Sequence, residues 1–281
     1  MTSNPPPAAT DRRRTVLTTG ANSGIGLATV LEAARRGHRS IGTVRSKAKA
    51  KIVRTAAAEA GVDVETALLD VTDAEAGASI VDEYRPDALV NNAGFSITGA
   101  IEDVTDDEAR FAFETMVLAP MRLARLSVPH MREQGWGRIV NVSSIYGRTS
   151  TPLTGWYQGC KQALEGLSDA LRMELARDGI KVILVEPGGV KTGIWAEAER
   201  EITRRAGSRF DPNYERTLTA TRAWQPIMAA PDHCANVILG IIEGNPRARY
   251  LVGLDAQAVG LAEMVVPTFL CDRISRLTLG L

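Results

Sequence analysis

The sequence is poor in cysteine and histidine, and it carries no net charge. Each shortage closes off a class of function. Cys160, Cys234 and Cys271 are the only cysteines, far apart and without a CxxC pair. That speaks against a disulfide framework and a zinc site, and it fits a reducing cytoplasm. His38, His130 and His233 are equally scattered, so surface or packing roles suit them better than metal ligation. The 33 Lys and Arg balance 33 Asp and Glu, which leaves no electrostatic reason to bind nucleic acid or an anionic membrane. No stretch has the unbroken apolar length of a membrane span, so stable membrane insertion is not expected. Met1 to Arg14 holds Pro5-Pro6-Pro7 and Arg12-Arg13-Arg14 but no apolar h-region. It reads as a tail, disordered over residues 1–12, and not as a secretory signal.

What is present suits one large α/β domain. Of 281 residues, 44% are hydrophobic and 23% charged, enough apolar material for a buried core. Strand-like runs (Thr15–Thr18, Ser40–Val44, Val64–Leu69, Ala88–Val90, Arg138–Val142, Ile180–Val185) alternate with helical ones (Leu27–Arg36, Ala48–Ala60, Ala74–Tyr84, Thr105–Glu133, Gln162–Arg177). Unbroken alternation predicts a doubly wound, mostly parallel, Rossmann-like sheet. Ile180–Val185 is almost wholly apolar, as a strand covered on both faces should be. From about 190 to 226 the pattern loosens and charges crowd between Glu197 and Arg205, which suggests a helical lid over a substrate. A helix over Asp232–Glu243 and a last strand at Tyr250–Val252 follow. No linker divides the chain, so residues 13–281 are expected to form a single domain. The apolar tail 256–281, broken by Glu263, Pro267 and Asp272, leaves three readings open: an amphipathic helix packed on the domain, a subunit contact, or a weak membrane-surface element. Packing within or between subunits suits it best.

Chemistry concentrates in a few motifs. Thr19-Gly20-Ala21-Asn22-Ser23-Gly24-Ile25-Gly26 lies between the first strand and first helix. Glycines there permit a tight turn and let a pyrophosphate approach the backbone, while the helix N-terminus offers unpaired N–H groups. The spacing Gly-x3-Gly-x-Gly departs from the standard Gly-x-Gly-x-x-Gly. At the end of the second strand stands Val44-Arg45-Ser46 without a carboxylate. An arginine there accommodates a 2′-phosphate, so NADP is favoured over NAD. The competing reading makes Arg45, Lys47, Lys49 and Lys51 a solvated helix start. Asp70, before Val71, either accepts from an adenine amino group or caps the next helix. Asn91-Asn92-Ala93-Gly94 closes the fourth strand, with small residues where a cofactor crosses the strand ends.

Tyr157 and Lys161 are four residues apart, a spacing that puts both on one helix face. A tyrosine ionises near ~10, too high for proton exchange at neutral pH, and a nearby ammonium should lower it. Thirteen residues before Tyr157, Ser144 follows a strand, where its hydroxyl can hold a substrate oxygen. Ser143 is the alternative, and local strand-end bonding competes for both.

In order and spacing, the turn Thr19–Gly26, Asp70, Asn91–Gly94, Ser144, Tyr157, Lys161 and Pro187-Gly188-Gly189-Val190-Lys191-Thr192 resemble the short-chain dehydrogenase/reductase family. The resemblance covers roughly residues 13–255, and the branch it resembles is that of 17β-hydroxysteroid and retinol dehydrogenases. It implies an NAD(P)-dependent interconversion of carbonyl and alcohol. Tyr157 would be the general acid/base, Lys161 would lower its pKa and hold the nicotinamide ribose, and Ser144 would orient the carbonyl. Gly20, Asn22, Ser23, Gly24, Ile25, Gly26, Arg45, Asp70, Val71, Asn92, Ala93, Gly94, Tyr157, Lys161, Pro187, Gly188, Val190 and Thr192 would contact the cofactor. Pairing through the helices containing 105–133 and Tyr157 would give a homodimer or homotetramer. Phe95, Ile145, Tyr146, Leu153, Trp156, Ile194 and Trp195 would wall a pocket for an apolar steroid-, retinoid- or acyl-like substrate. One departure stands out. Met116 occupies the position of a usual asparagine, and a thioether cannot replace an amide's donor and acceptor. That departure leaves a second reading, a cofactor-binding sensor or scaffold with little turnover.

Overall fold

The computed structural model describes residues 13–281, and of 263–265 the backbone alone; the tail expected over 1–12 lies outside the described residues. Seven strands form one parallel sheet: β1 (Thr15–Thr19), β2 (Arg39–Val44), β3 (Glu65–Leu68), β4 (Ala88–Asn91), β5 (Gly137–Val142), β6 (Ile180–Pro187) and β7 (Arg249–Val252), in the order β3-β2-β1-β4-β5-β6-β7. The helices are α1 (Gly24–Arg35), α2 (Lys47–Glu59), α3 (Ala74–Tyr84), α4 (Asp106–Phe113), α5 (Ala119–Glu133), α6 (Gly155–Glu174), α7 (Ile194–Arg204), α8 (Asp211–Trp224), α9 (Pro231–Glu243), α10 (Leu254–Val265) and α11 (Thr268–Leu279). Among the described residues no helix is long and apolar enough to cross a membrane.

The strand pattern puts a core on each face. Leu17, Leu89, Ile139 and Val182 stand in register across β1, β4, β5 and β6 and pack on Leu123 and Met131 of α5. Their neighbours Val16, Val140 and Ile183 point the other way, onto Ile238 and Ile242 of α9. The period-2 alternation of strands requires this split, and burial on both faces explains why β6 is so apolar. Strand order reverses between β1 and β4, and in such sheets the crevice at that switch point, beyond the carboxyl ends of the strands, is where ligands bind.

Two local departures shape that crevice. The helix expected from Gln162 begins at Gly155 instead. Gly155 and Gly159 lower helix propensity there, but tertiary contacts override it. Gln158 bonds Thr151 and Thr154, and the Trp156 ring meets Phe113 edge-on at 6.4 Å. The long helix expected over Thr105–Glu133 opens on a capping box between Thr105 and Glu108, as its sequence implies. It then widens into a π turn over Glu114–Leu118. Pro120 accounts for this: it has no N–H to bond the carbonyl four residues back, on Met116, and its ring crowds that carbonyl.

Candidate active site

The carboxyl ends of β1, β2, β4, β5 and β6 open into one cavity of about 1550 Å³. Every catalytic and cofactor-contact residue expected from the sequence lines it except Gly26, which sits behind the wall. Gly26 is needed for close approach: a Cβ there would fall 2.4 Å from the Gly20 carbonyl oxygen and 2.5 Å from Asn92 Nδ2. Asn92 holds the turn by donating from Nδ2 to the Thr19 and Gly20 carbonyls at 2.9 and 3.3 Å. Thr19 Oγ1 in turn accepts from the Asn92 and Ala93 amides at 3.0 and 2.9 Å. Asn91 ties β4 to β5 through Asn141 Oδ1 at 2.8 Å. Ser23 stands at the N-cap of α1 without a side-chain capping bond, so the first-turn N–H groups of α1 face the cavity uncapped.

At the end of β2, Arg45 is exposed and lines the cavity with Lys49, while Ser46 caps α2 by accepting from the Lys49 amide at 3.3 Å. Of the two roles open to Asp70, helix capping is eliminated, because Asp73 caps α3. Asp70 instead accepts from the Thr72 amide and hydroxyl, both through Oδ1, at 3.0 and 2.7 Å. Burial pushes its carboxyl up, but the Thr72 bonds and the charge of Arg45 outweigh that and hold it below the usual range.

Ser144, Tyr157 and Lys161 converge on the same cavity. Lys161 is 6% exposed and donates from Nζ to the Val142 carbonyl at 2.9 Å. Its ammonium stands 5.6 Å from the Tyr157 ring centroid. The expected lowering of Tyr157 by Lys161 is not what this geometry produces. Burial pushes the phenol up to about 12, with the Ser144 hydroxyl opposing it. Burial also pushes Lys161 down to about 8, against the raising influence of Cys160 and Glu165. The cause is dehydration: both groups are deep in the protein, and the ammonium is spent on a backbone carbonyl.

Met116 lies on the π turn, 1% exposed, packed with Ile97, Ala112 and Cys160 and lining the cavity. Among the expected walls, Phe95, Ile145, Tyr146, Ile194 and Trp195 are in place, but Leu153 and Trp156 are not. Leu153 turns inward to Tyr214 and Ile202, and Trp156 packs on the α4 side. Their hydrophobicity marked them as buried without saying against what.

Several participants went unnoticed in the sequence. Asp255, at the start of α10, accepts from the Gly189 amide at 2.6 Å. Its carboxylate packs so closely on the Pro187-Gly188-Gly189 turn that a Cβ on Gly188 would fall 2.2 Å from Oδ1. Cys271, Ser275 and Thr278 of α11 line the cavity as well. α11 meets α8 at its C-terminal end, where Asn213 donates to the Leu279 carbonyl at 2.8 Å, while Phe269, Ile274 and Leu277 stay exposed. The spacing of 271, 275 and 278 is the helical signal that would have found this stripe.

A doubly wound parallel sheet with a glycine-lined cleft at its switch point, and a serine, tyrosine and lysine at the strand ends, defines a dinucleotide-dependent oxidoreductase class. The family model for short chain dehydrogenases matches residues 14–203, and the chain belongs to the short-chain dehydrogenase/reductase family. It is 40% identical over 190 residues to the uncharacterized oxidoreductase YusZ of Bacillus subtilis, covering 66% of this chain and 68% of that one. It is 30% identical over 289 residues to retinol dehydrogenase 16 of Homo sapiens, covering 94% and 88%, in line with the branch the motifs suggest. Among solved structures, a short-chain dehydrogenase from Streptomyces avermitilis superposes with a TM-score of 0.76 at 34% identity, covering 90% of this chain and 92% of that one. L-sorbose reductase from Gluconobacter frateurii, complexed with NADPH and L-sorbose, gives 0.73 at 28%, covering 86% and 95%.

Proposed function

We propose that this protein is an NADP(H)-dependent oxidoreductase that interconverts a carbonyl and an alcohol on an apolar substrate, with Tyr157 as general acid/base. The observation that carries the reading is the convergence of Ser144, Tyr157 and Lys161 on the cavity that the glycine turn opens into. The residues fit a dinucleotide. The floor at Gly26 admits no Cβ, the first turn of α1 is uncapped, and Arg45 stands at the end of β2 with no carboxylate beside it in the sequence. Relatives with NADPH bound support the same choice. When bound, the cofactor supplies or accepts the hydride.

The chain's own residues do the rest. In the direction of reduction, Tyr157 keeps its proton through neutral pH and delivers it to the carbonyl oxygen. Ser144, whose hydroxyl favours the Tyr157 phenolate against burial, orients that oxygen and stabilises its developing charge. The Lys161 ammonium, fixed on Val142, offers a positive charge to the phenolate that follows, against the burial that raises it. With the cofactor bound, Asp70 would receive the adenine amino group, and the turn held by Asp255 would meet the carboxamide. Phe95, Ile145, Tyr146 and Trp195 exclude water and favour an apolar substrate. The exposed side chains of Leu118 at the end of the π turn and of Leu167 and Met173 on α6 support a subunit contact through these helices, in a homodimer or homotetramer.

A panel of ketones and aldehydes, assayed with NADPH and NADH, tests the reading. NADPH consumption with an apolar carbonyl is the expected result; NADPH binding without turnover across the panel would establish the sensor reading that Met116 invites. In the same assay Arg45→Asp should lower kcat/KM with NADPH by about ten- to hundredfold, the worth of a charged hydrogen bond to phosphate, and raise it with NADH. An unchanged cofactor preference would remove Arg45 from the site. The rate of reduction should also fall as pH rises through about 8, where Lys161 loses its proton. A rate flat across that interval would contradict the role given to Lys161.

A further inference from the structure

Glu186 is the last but one residue of β6, and its side chain is wholly buried. A charge in that place is costly unless it is paired, and an apolar side chain of similar volume often holds a fold as well. Its partners show what the charge does instead. Arg148 donates from Nε to Glu186 Oε2 and from Nη2 to Oε1, the latter at 3.2 Å. This is the fork of a guanidinium on a carboxylate, which fixes direction as well as distance. Arg249 of β7 also comes within 3.2 Å of Oε1. The same arginine donates to Glu165 Oε2 at 3.2 and 3.0 Å and to Asp169 at 3.1 and 2.7 Å.

Three parts of the site therefore meet at one carboxylate. The first is its own chain, which runs straight into the Pro187-Gly188-Gly189 turn held by Asp255. The second is α6, which carries Tyr157 and Lys161 and is joined through Arg249 to Glu165 and Asp169. The third is the single turn Ile145–Gly147 that follows Ser144, joined through Arg148. Ser144 accepts from the Tyr146 amide at 3.1 Å, Tyr146 meets Tyr157 edge-on at 6.3 Å, and Ile145 and Tyr146 line the cavity. Gly147 lets this turn lie close on its floor, since a Cβ there would fall 2.7 Å from Ser143 Oγ and 2.9 Å from Glu165 Oε1. Close approach alone does not stop the turn from sliding. Arg148 supplies the tether to β6.

We propose that Arg148 and Glu186 are positioning residues that determine specificity: the pair holds the wall made by Ile145 and Tyr146 in one place relative to the cofactor turn, and so fixes which face of a prochiral ketone receives the hydride. The proposal rests on the reading of the site as a carbonyl reductase. On that reading Ser144 and Tyr157 take the ketone oxygen, and the walls sort its two carbon substituents. A wall free to shift by about 1 Å would admit the ketone turned over, with its other face to the hydride.

The test is reduction of prochiral apolar ketones by NADPH, with the product alcohols separated by chiral chromatography. NADPH binding is followed by fluorescence, and hydrogen exchange at the amides of Gly147, Arg148 and Thr149, which bond within the turn, is followed beside it. Arg148→Met leaves Glu186 paired with Arg249. It should lower the ratio of the two alcohols about tenfold, for the ketone that the wild type reduces most selectively. Exchange at the three amides should quicken about tenfold, and NADPH binding should stay within a factor of about two. Glu186→Gln should lower the ratio as much and also weaken NADPH binding, since the cofactor turn loses its anchor. In the double variant the ratio should fall no further than in Glu186→Gln alone. Arg148→Lys keeps the charge without the fork and should give an intermediate ratio. Ile242→Val, in the core under α9, should lower Tm and leave the ratio in place. A wild type that makes both alcohols equally, an unmoved ratio in Arg148→Met, an additive fall in the double variant, or an equal fall in Ile242→Val would each overturn the proposal. Quickened exchange in Arg148→Met, in a protein that reduces no ketone, would instead overturn the catalytic reading and leave the tether standing; unmoved exchange there would overturn both.

Discussion

Tyr157→Phe should reduce carbonyl turnover about a thousandfold while NADPH binding stays within a factor of two or so, since positioned proton transfer contributes on the order of 10²–10⁴. The substitution removes one oxygen and little else. The Tyr157 ring packs with Met116, Cys160 and their neighbours, and a phenylalanine ring keeps those contacts. The hydroxyl is under the influence of Ser144, which keeps its own bond from the Tyr146 amide at 3.1 Å. Stability should therefore change by no more than about 1 kcal/mol, the net worth of a typical hydrogen bond. Single-turnover NADPH oxidation separates the chemical step from binding. A variant retaining more than about a tenth of wild-type turnover would show that some other group delivers the proton.

Arg205→Ala should loosen the segment above the cavity by about 3 kcal/mol, at the lower end of what breaking a buried ion pair costs. Arg205 follows α7, and its side chain is only 7% exposed. It donates to the Thr98 and Asp103 carbonyls, both at 2.8 Å, and to Glu108 Oε1 at 3.0 Å. Those partners belong to the loop before α4 and to α4 itself, so one guanidinium latches α7 and α8 to the far wall. Tyr214 and Ser208 fasten the same place, donating to Asp103 Oδ2 at 2.5 and 2.6 Å. Hydrogen exchange over residues 194–224 should quicken about a hundredfold in the variant, the exchange equivalent of that energy. KM for an apolar carbonyl should rise, since the walls at Ile194 and Trp195 would no longer be held. Exchange confined to wild-type rates would mean that Tyr214 and Ser208 carry the latch alone.

Arg205 also shows where sequence and structure part company. In the sequence it is one charge among many between Glu197 and Arg205, in a stretch that reads as a helical lid without a named latch. Burial turns it into a latch because its partners lie about a hundred residues away, and no local pattern records that meeting. Asp255 and Glu165 were hidden for the same reason. Asp255 reaches the Gly189 amide across the sheet edge, and Glu165 looks like an ordinary exposed position of an amphipathic helix until Arg249 arrives from β7. Leu153 and Trp156 err the other way: both are apolar and near the site, but Leu153 packs inward on Tyr214 and Ile202, and half-buried Trp156 lies against Phe113.

The sequence by itself determined the alternation of strands and helices, the glycine turn, and the order of Ser144, Tyr157 and Lys161. These depend on short-range facts: side-chain period, the steric freedom of glycine, and the one-turn spacing of two residues on a helix. Only the tertiary structure decided that α6 starts as early as Gly155, that Pro120 opens a π turn at Met116, and that α11 helps to wall the cavity. It also decided the proton affinities. The i+4 spacing suggested that Lys161 would lower Tyr157, but burial raises Tyr157 and lowers Lys161, because dehydration depends on how deep a group lies and not on its neighbours in the chain.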